Sequence, residues 1–158
     1  MTPVLEVEGL RTHFFTKQGV VKAVDDVSFT VGRGEVVGLV GESGSGKSMT
    51  GYSIMGLIDP PGRIVDGRIR LNGVDLRALP EEGIRRVRGN RVAMIFQDPM
   101  MTLNPVLRID TQMVEAVRAH HAVSRESALA RCREALVRVG IPAPDERMRG
   151  YPHQFTGG

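Results

Sequence analysis

The chain has 158 residues, of which 41% are hydrophobic and 25% are charged, and its formal net charge is +3. This length is about that of one average domain. The composition excludes a disordered chain. The net charge is too small to indicate nucleic-acid binding. No apolar stretch approaches the roughly 18 residues of a membrane span, and the N-terminus lacks a signal-peptide pattern. The single cysteine, Cys132, excludes an internal disulfide and is typical of a reducing compartment. We therefore expect a cytosolic protein that reaches a membrane only through a partner.

The first part of the chain is predicted to be rich in β structure. Four segments have the alternating apolar pattern of half-buried strands: residues 4–10, 20–24, 27–31 and 68–71. A hairpin turn is expected near Gly19, and Asn72-Gly73 favours a second tight turn. The continuous apolar run at residues 36–40 predicts a buried strand. A helix is expected after it, ending before the consecutive prolines Pro60 and Pro61, because proline cannot continue a helix.

The later part of the chain is predicted to be mainly helical. Residues 80–82 favour the first turn of a helix, and residues 92–96 predict a second buried strand. Ser124 is a predicted N-cap, and the helix after it should present an apolar stripe and end at Gly140. The members of that stripe are Leu129, Cys132, Leu136 and Val139. We expect Cys132 to be a small core residue rather than a redox thiol.

Two stretches of the chain are rich in arginine. Residues 85–91 contain four arginines, and residues 118–149 contain seven against four acidic residues. Both stretches are expected to be solvated faces. The alternative is a surface that docks near anionic lipid or against a partner.

Residues 41–48 have the spacing G-x-x-x-x-G-K-S between a predicted strand and a predicted helix. The glycines allow backbone amides to turn inward at a positive helix N-terminus, which forms a nest for phosphate. Lys47 adds a charge for the β- and γ-phosphates, and the Ser48 hydroxyl is a ligand for Mg²⁺. An ordinary Gly/Ser turn is the alternative. The residues expected to hold a nucleoside triphosphate are Gly41, Glu42, Ser43, Gly44, Ser45, Gly46, Lys47, Ser48 and Met49.

Two further segments give the chain a family resemblance. Residues 94–105, Met-Ile-Phe-Gln-Asp-Pro-Met-Met-Thr-Leu-Asn-Pro, resemble the Q-loop of ATP-binding cassette (ABC) transporter ATPases of the oligopeptide and dipeptide import branch. Residues 151–158, Tyr-Pro-His-Gln-Phe-Thr-Gly-Gly, resemble the run into the signature loop of that family. The resemblance implies an α/β fold: a RecA-like P-loop core with an N-terminal antiparallel β subdomain, an incomplete sheet and the start of a helical subdomain. The implied boundary divides residues 1–98 from residues 99–158.

The resemblance assigns roles to residues outside the phosphate loop. Lys47 and Gln97 are expected to be catalytic, with Gln97 joining Ser48 as a ligand of Mg²⁺ and orienting water. Phe14 is expected to stack on adenine, with Phe15 as the alternative; either ring could instead be a core residue. Thr156, Gly157 and Gly158 are expected to contact the ATP of a partner subunit, although Thr replaces the usual Ser. The candidate contacts to a membrane subunit are Pro99, Met100 and Met101.

The family pattern also has elements that these residues lack. No apolar strand of the sequence ends in Asp-Glu, so the acids of the family's Walker B strand, which hold Mg²⁺ and polarise water, are missing. The family's later histidine, in its H-loop, is also missing. We therefore expect the N-terminal piece of a longer ATPase, which as a fragment binds ATP but hydrolyses it very poorly. Its parallel strands would expose an unpaired edge.

For the intact protein, the resemblance implies a motor subunit of a peptide importer at the cytoplasmic face of the membrane. The implied partners are a second ATPase subunit, identical or not, integral membrane permease subunits and, indirectly, an extracytoplasmic solute-binding protein. No nucleic-acid partner is expected. The alternatives are an importer ATPase for nickel or another solute, a soluble ABC protein of DNA repair or translation, and a nucleotide-binding stub without activity.

Overall fold

The structure, a computed structural model, describes residues 3–97 and 102–155. The chain forms two compact units, residues 1–93 and residues 94–158. The first unit contains β1 (Leu5–Thr16), β2 (Gly19–Val31), α1 (Lys47–Met55), β3 (Gly62–Leu71), β4 (Val74–Asp75), a 3₁₀ turn (Leu76–Ala78) and α2 (Glu81–Val87). The second contains α3 (Ile109–Arg118), α4 (Arg125–Arg138), α5 (Pro144–Arg149) and a 3₁₀ turn (Pro152–Gln154).

The first unit is built on a four-stranded sheet in the order β2-β1-β3-β4, with antiparallel neighbours throughout. The predicted hairpin near Gly19 is confirmed, because Thr16 pairs with Gly19 at its tip. The predicted Asn72-Gly73 turn is also confirmed, with φ values of 49° and 81°. The two strands expected at residues 20–31 form one strand, β2. Asp26, at φ 63°, marks the irregularity that interrupts their alternation.

Helix α1 packs against the sheet through a small apolar core. The buried core side chains of this unit are Val7, Leu10, Val24, Ile69, Leu71 and Leu76, and Met49 and Ile54 of α1 pack against them. A buried pair of hydroxyl groups joins β1 to α1, with 2.7 Å between Thr12 Oγ1 and Ser53 Oγ. Ser53 donates to the carbonyl oxygen of Met49, so Thr12 is the donor to Ser53. The sheet thereby fixes the position of the helix that follows the phosphate loop.

The two predicted buried strands are wrong for this structure. Residues 36–40 form no strand, and Val36 and Val40 are 97% and 93% exposed. Residues 92–96 form only an isolated bridge between Val92 and Arg88, and Ile95 is 94% exposed. A strand needs a neighbour that accepts and donates its ladder hydrogen bonds. No described strand pairs with either segment. Because neither segment is a strand, the expected unpaired edge of parallel strands is also not found in the described residues.

The second unit is a small three-helix cluster. Ser124 is the N-cap of α4, as predicted, because its Oγ accepts a hydrogen bond from the Ser127 amide at 3.1 Å. Cys132 and Leu136 are buried in a core with Val114, Ala128 and Met148. Val139 departs from the predicted stripe and is 72% exposed, because α4 ends before it. Gly140, at φ 75°, and the bond from the Ile141 amide to the Leu136 carbonyl complete a Schellman motif.

The environment of Cys132 gives a chemical prediction. Burial raises the pKa of the Cys132 thiol, so the reactive thiolate is disfavoured, and the side chain is 1% exposed. We expect iodoacetamide at pH 8 to alkylate Cys132 far more slowly in the native protein than in urea, measured by mass spectrometry. Equal rates in the two conditions would contradict the assignment of Cys132 as a core residue.

Candidate nucleotide-binding site

The predicted phosphate loop is curled and leads directly into a helix. Residues 43–44 form a turn and residues 45–46 a bend, and the Ser45 amide donates to the Glu42 carbonyl oxygen at 3.2 Å. Gly44 and Gly46 have φ values of 80° and 90°, the left-handed region that favours glycine. Gly46 is the N-cap of α1, whose first residue is Lys47. The predicted glycine-rich turn and the helix start after it are therefore confirmed.

Space, as well as conformation, requires glycine in this loop. A Cβ atom at Gly46 would lie 2.2 Å from the carbonyl oxygen of Ala23 in β2. A Cβ atom at Gly41 would lie 2.5 Å from Ser45 Oγ. At Gly46 the loop thus lies directly against the backbone of β2, where no side chain fits, and at Gly41 a side chain would displace the Ser45 hydroxyl.

The Lys47 ammonium lies within the curve of the loop. Its Nζ donates to the carbonyl oxygens of Gly41 and Glu42 at 2.7 and 2.6 Å and to Ser45 Oγ at 3.3 Å. The amides of Gly44, Gly46 and Ser48 donate to no acceptor among the described residues. The first turn of α1 holds no acidic residue, so its positive end is not neutralised. Free amides, a helix N-terminus and a lysine ammonium together form a site for an anion with several oxygens.

The other predicted residues of the loop divide into two groups. Ser48 is exposed at the second position of α1, where its hydroxyl is accessible to a cation. Glu42 and Ser43 are also exposed. The Met49 side chain packs against the sheet core, which leaves only its main chain to serve the loop.

The two predicted aromatic candidates have different environments. Phe14 is half-buried, and its ring lies so close to Gly62 that a Cβ there would be 2.5 Å from Phe14 Cε1. Phe15 is 40% exposed, and the Arg63 guanidinium lies 4.3 Å from its ring centroid. The arginine occupies one face of the Phe15 ring, and Gly62 lies against the Phe14 ring, so Phe14 stays the predicted adenine-stacking residue and Phe15 stays the alternative.

The remaining predicted site residues belong to the second unit. Gln97 is exposed and ends the first described range. The candidate coupling contacts Pro99, Met100 and Met101 lie outside the described residues, as do Thr156, Gly157 and Gly158. No cluster of metal-ligating His, Cys, Asp or Glu side chains occurs in residues 3–97 and 102–155. Hydroxyl and amide oxygens are nonetheless acceptable ligands for Mg²⁺, so the donor chemistry of Ser48 and Gln97 fits that ion.

One residue that the structure places beside α1 carries no signal in the sequence. Arg88 was counted among the solvated arginines, yet its Nε donates to the Met55 carbonyl oxygen at 2.7 Å and its Nη2 to the Gly56 carbonyl oxygen at 2.6 Å. These partners are more than thirty positions away along the chain. No local pattern marks such a contact.

A comparison with protein families identifies the family of this chain. The model of the ABC transporter family matches residues 24–158, which include the loop, α1 and all the later helices. The chain belongs to the ABC transporter family.

Two curated ABC relatives illustrate the similarity. The chain is 45% identical over 155 residues to the dipeptide transport ATP-binding protein DppD of Escherichia coli, covering 98% of this chain and 47% of the relative. It is 46% identical over 159 residues to the oligopeptide transport ATP-binding protein AppD of Bacillus subtilis, covering 100% of this chain and 48% of the relative. The chain thus spans about half the length of these curated relatives.

Solved ABC structures share the fold. The dimeric bacterial ABC transporter cassette MJ0796 superposes with a TM-score of 0.82 at 20% identity, covering 97% of this chain and 63% of that chain. Its post-hydrolysis state, bound to ADP and Pi, gives a TM-score of 0.79 at 20% identity, over 96% and 63% of the two chains. These similarities confirm the predicted α/β ABC cassette fold. None of the described helices has the length and apolar character needed to cross a bilayer.

Proposed function

We propose that this chain binds Mg-ATP through residues 41–48 and forms part of the motor subunit of an ABC importer for peptides. The observation that carries the proposal is the Lys47 ammonium within a curled loop whose free amides lie at the N-terminus of α1. The names of the relatives, which are dipeptide and oligopeptide transport proteins, favour peptides over nickel. They also favour a transporter over a soluble ABC protein.

The loop residues supply binding and positive charge. ATP brings its own phosphate oxygens to the Lys47 ammonium, which would exchange its bonds to the Gly41 and Glu42 carbonyls for bonds to phosphate. Such charge-assisted bonds are stronger than neutral ones. Ser48 and Gln97 would hold Mg²⁺, which shields the phosphate charge when bound. Phe14 would stack on the adenine ring, since stacking requires only a flat aromatic face.

The complete protein is proposed to hydrolyse ATP as a dimer. Thr156, Gly157 and Gly158 would contact the ATP of the second ATPase subunit. That subunit is a second copy of this chain in one form of the proposal and a related chain in the other. MJ0796, a family relative in fold, is dimeric. Closure of the dimer around ATP and its release after hydrolysis would drive the permease subunits at the cytoplasmic face of the membrane. An extracytoplasmic solute-binding protein would deliver the peptide.

Transport in the native cell tests the substrate and the partners. Inactivation of the gene should abolish uptake of labelled dipeptides or oligopeptides and leave nickel uptake unchanged. The complete native protein should also copurify with an integral membrane subunit, identified by mass spectrometry. Loss of nickel uptake with normal peptide uptake would instead establish the nickel alternative, and a protein free of membrane partners would contradict the transporter assignment.

A further inference from the structure

A single arginine closes the end of α1 that lies opposite the phosphate loop. Helix α1 ends at Met55, and its C-cap, Gly56, has φ 64°. Arg88 Nε donates to the Met55 carbonyl oxygen at 2.7 Å, and Arg88 Nη2 donates to the Gly56 carbonyl oxygen at 2.6 Å. The last carbonyl groups of a helix lack partners within the helix. Arg88 therefore supplies donors that α1 itself does not have.

The charge of Arg88 also suits this position. The last turn of α1 contains no basic residue of its own, so the negative end of the helix is not compensated from within. A guanidinium group presents its N–H groups in a fixed planar fork, which lets it bind two carbonyl oxygens at once. The bond to Met55 is partly buried and the bond to Gly56 is exposed, and a hydrogen bond with a charged donor is stronger in the partly buried position than in water.

Arg88 is itself held firmly. Its backbone amide donates to the Ile84 carbonyl oxygen at 3.0 Å and ends α2. A Cβ atom at Gly56 would lie 2.9 Å from Arg88 Nη2 and 3.7 Å from Ile84 Cγ1, so the two segments are in close contact. Arg88 also begins the stretch of chain that leads to Gln97. The end of α1 is thus tied to a fixed point of the fold rather than to a mobile surface side chain.

We propose that Arg88 is a positioning residue for nucleotide binding. Helix α1 has nine residues and is fixed at its N-cap by the contact of Gly46 with Ala23 and along its length by the bond between Thr12 and Ser53. Arg88 fixes the remaining end. Because a nine-residue helix is stiff, release of that end lets α1 rotate about the line through its two contacts with the sheet, which changes how the Lys47 ammonium and the loop amides face the phosphates. This inference rests on the proposed binding of ATP by the loop.

The test compares two arginines of the same region in the complete native protein. Arg88→Gln removes the charge and one arm of the fork. Arg86→Gln is the matched control, because the Arg86 side chain is 78% exposed and its ion pair among the described residues is with Glu82. We expect Arg88→Gln to raise the Kd for Mg-ATP about tenfold, measured by titration of the folded fraction, and Arg86→Gln to leave it unchanged. Arg88→Lys keeps the charge but not the fork, so its Kd should be intermediate.

The outcomes separate positioning from mere stabilisation. A purely structural role would lower the melting temperature of Arg88→Gln and leave the Kd of its folded fraction at the wild-type value, which would overturn the inference. If Arg88→Gln does not fold, Arg88→Lys carries the test, and a wild-type Kd for it would likewise overturn the inference. Failure of the proposed function looks different, because the wild-type protein would then bind no ATP or Lys47→Ala would bind it normally.

Discussion

Replacement of Lys47 by alanine is expected to abolish ATP binding by the complete protein. The Lys47 ammonium is the charged group that the loop holds with two carbonyl oxygens and one hydroxyl. Loss of its charge-assisted contacts to phosphate should raise the Kd for Mg-ATP about a hundredfold or more. ATP turnover should fall at least as far, since the lysine also stabilises charge that develops during phosphoryl transfer. Calorimetric titration and a phosphate-release assay measure the two effects.

A second lysine provides the control for this substitution. Lys17 lies in the exposed turn between β1 and β2, so Lys17→Ala makes the same chemical change away from the loop. We expect Lys17→Ala to bind and hydrolyse ATP like the wild type. Wild-type affinity and turnover in Lys47→Ala would contradict the role assigned to the loop, and with it the proposed motor function.

Replacement of Gly46 by alanine is expected to disrupt both the loop and the fold around it. The new Cβ atom would lie 2.2 Å from the Ala23 carbonyl oxygen, and φ at this position is 90°. Neither the backbone of β2 nor the N-cap of α1 moves without breaking the contact that positions the loop. We expect the free energy of unfolding to fall by about 3 kcal/mol, from steric overlap and backbone strain together, and ATP binding to be lost. Urea denaturation and titration with Mg-ATP measure these effects.

Gly34 provides a control that separates the effect of steric overlap from the effect of backbone strain. Gly34 also has a positive φ, 72°, but a Cβ atom there would meet nothing within 4 Å. Gly34→Ala should therefore show only the backbone strain, a loss of about 1 kcal/mol, with ATP affinity unchanged. Equal losses of stability in the two variants would show that contact with β2 does not constrain the loop.

The features that the sequence predicts correctly are those that neighbouring residues in the chain determine. The Asn72-Gly73 turn, the Ser124 cap and the end of α4 at Gly140 each depend on a few consecutive residues and their preferred backbone angles. The phosphate loop belongs to the same class, because its spacing of glycines specifies the turn and the lysine follows immediately. These features could be predicted without knowledge of the rest of the fold.

The two predicted buried strands failed for the opposite reason. The apolar runs at residues 36–40 and 92–96 have the composition of buried strands, but composition does not provide the neighbouring strand that completes the hydrogen bonds. The apolar pattern of a segment indicates only that the segment is suited to burial. Whether anything covers the segment depends on other parts of the protein.

By itself, the sequence determined the glycine-rich loop that we propose for phosphate binding, the antiparallel hairpins and the helix ends, because each is encoded by residues within about one turn of one another. Only the tertiary structure decided that Gly46 lies against Ala23, that Thr12 bonds to Ser53 and that Arg88 closes α1. Those contacts join positions 23 to 41 residues apart along the chain. The type of a residue constrains the backbone around it. The distant residue that it contacts is determined only when the chain folds and brings the two residues together.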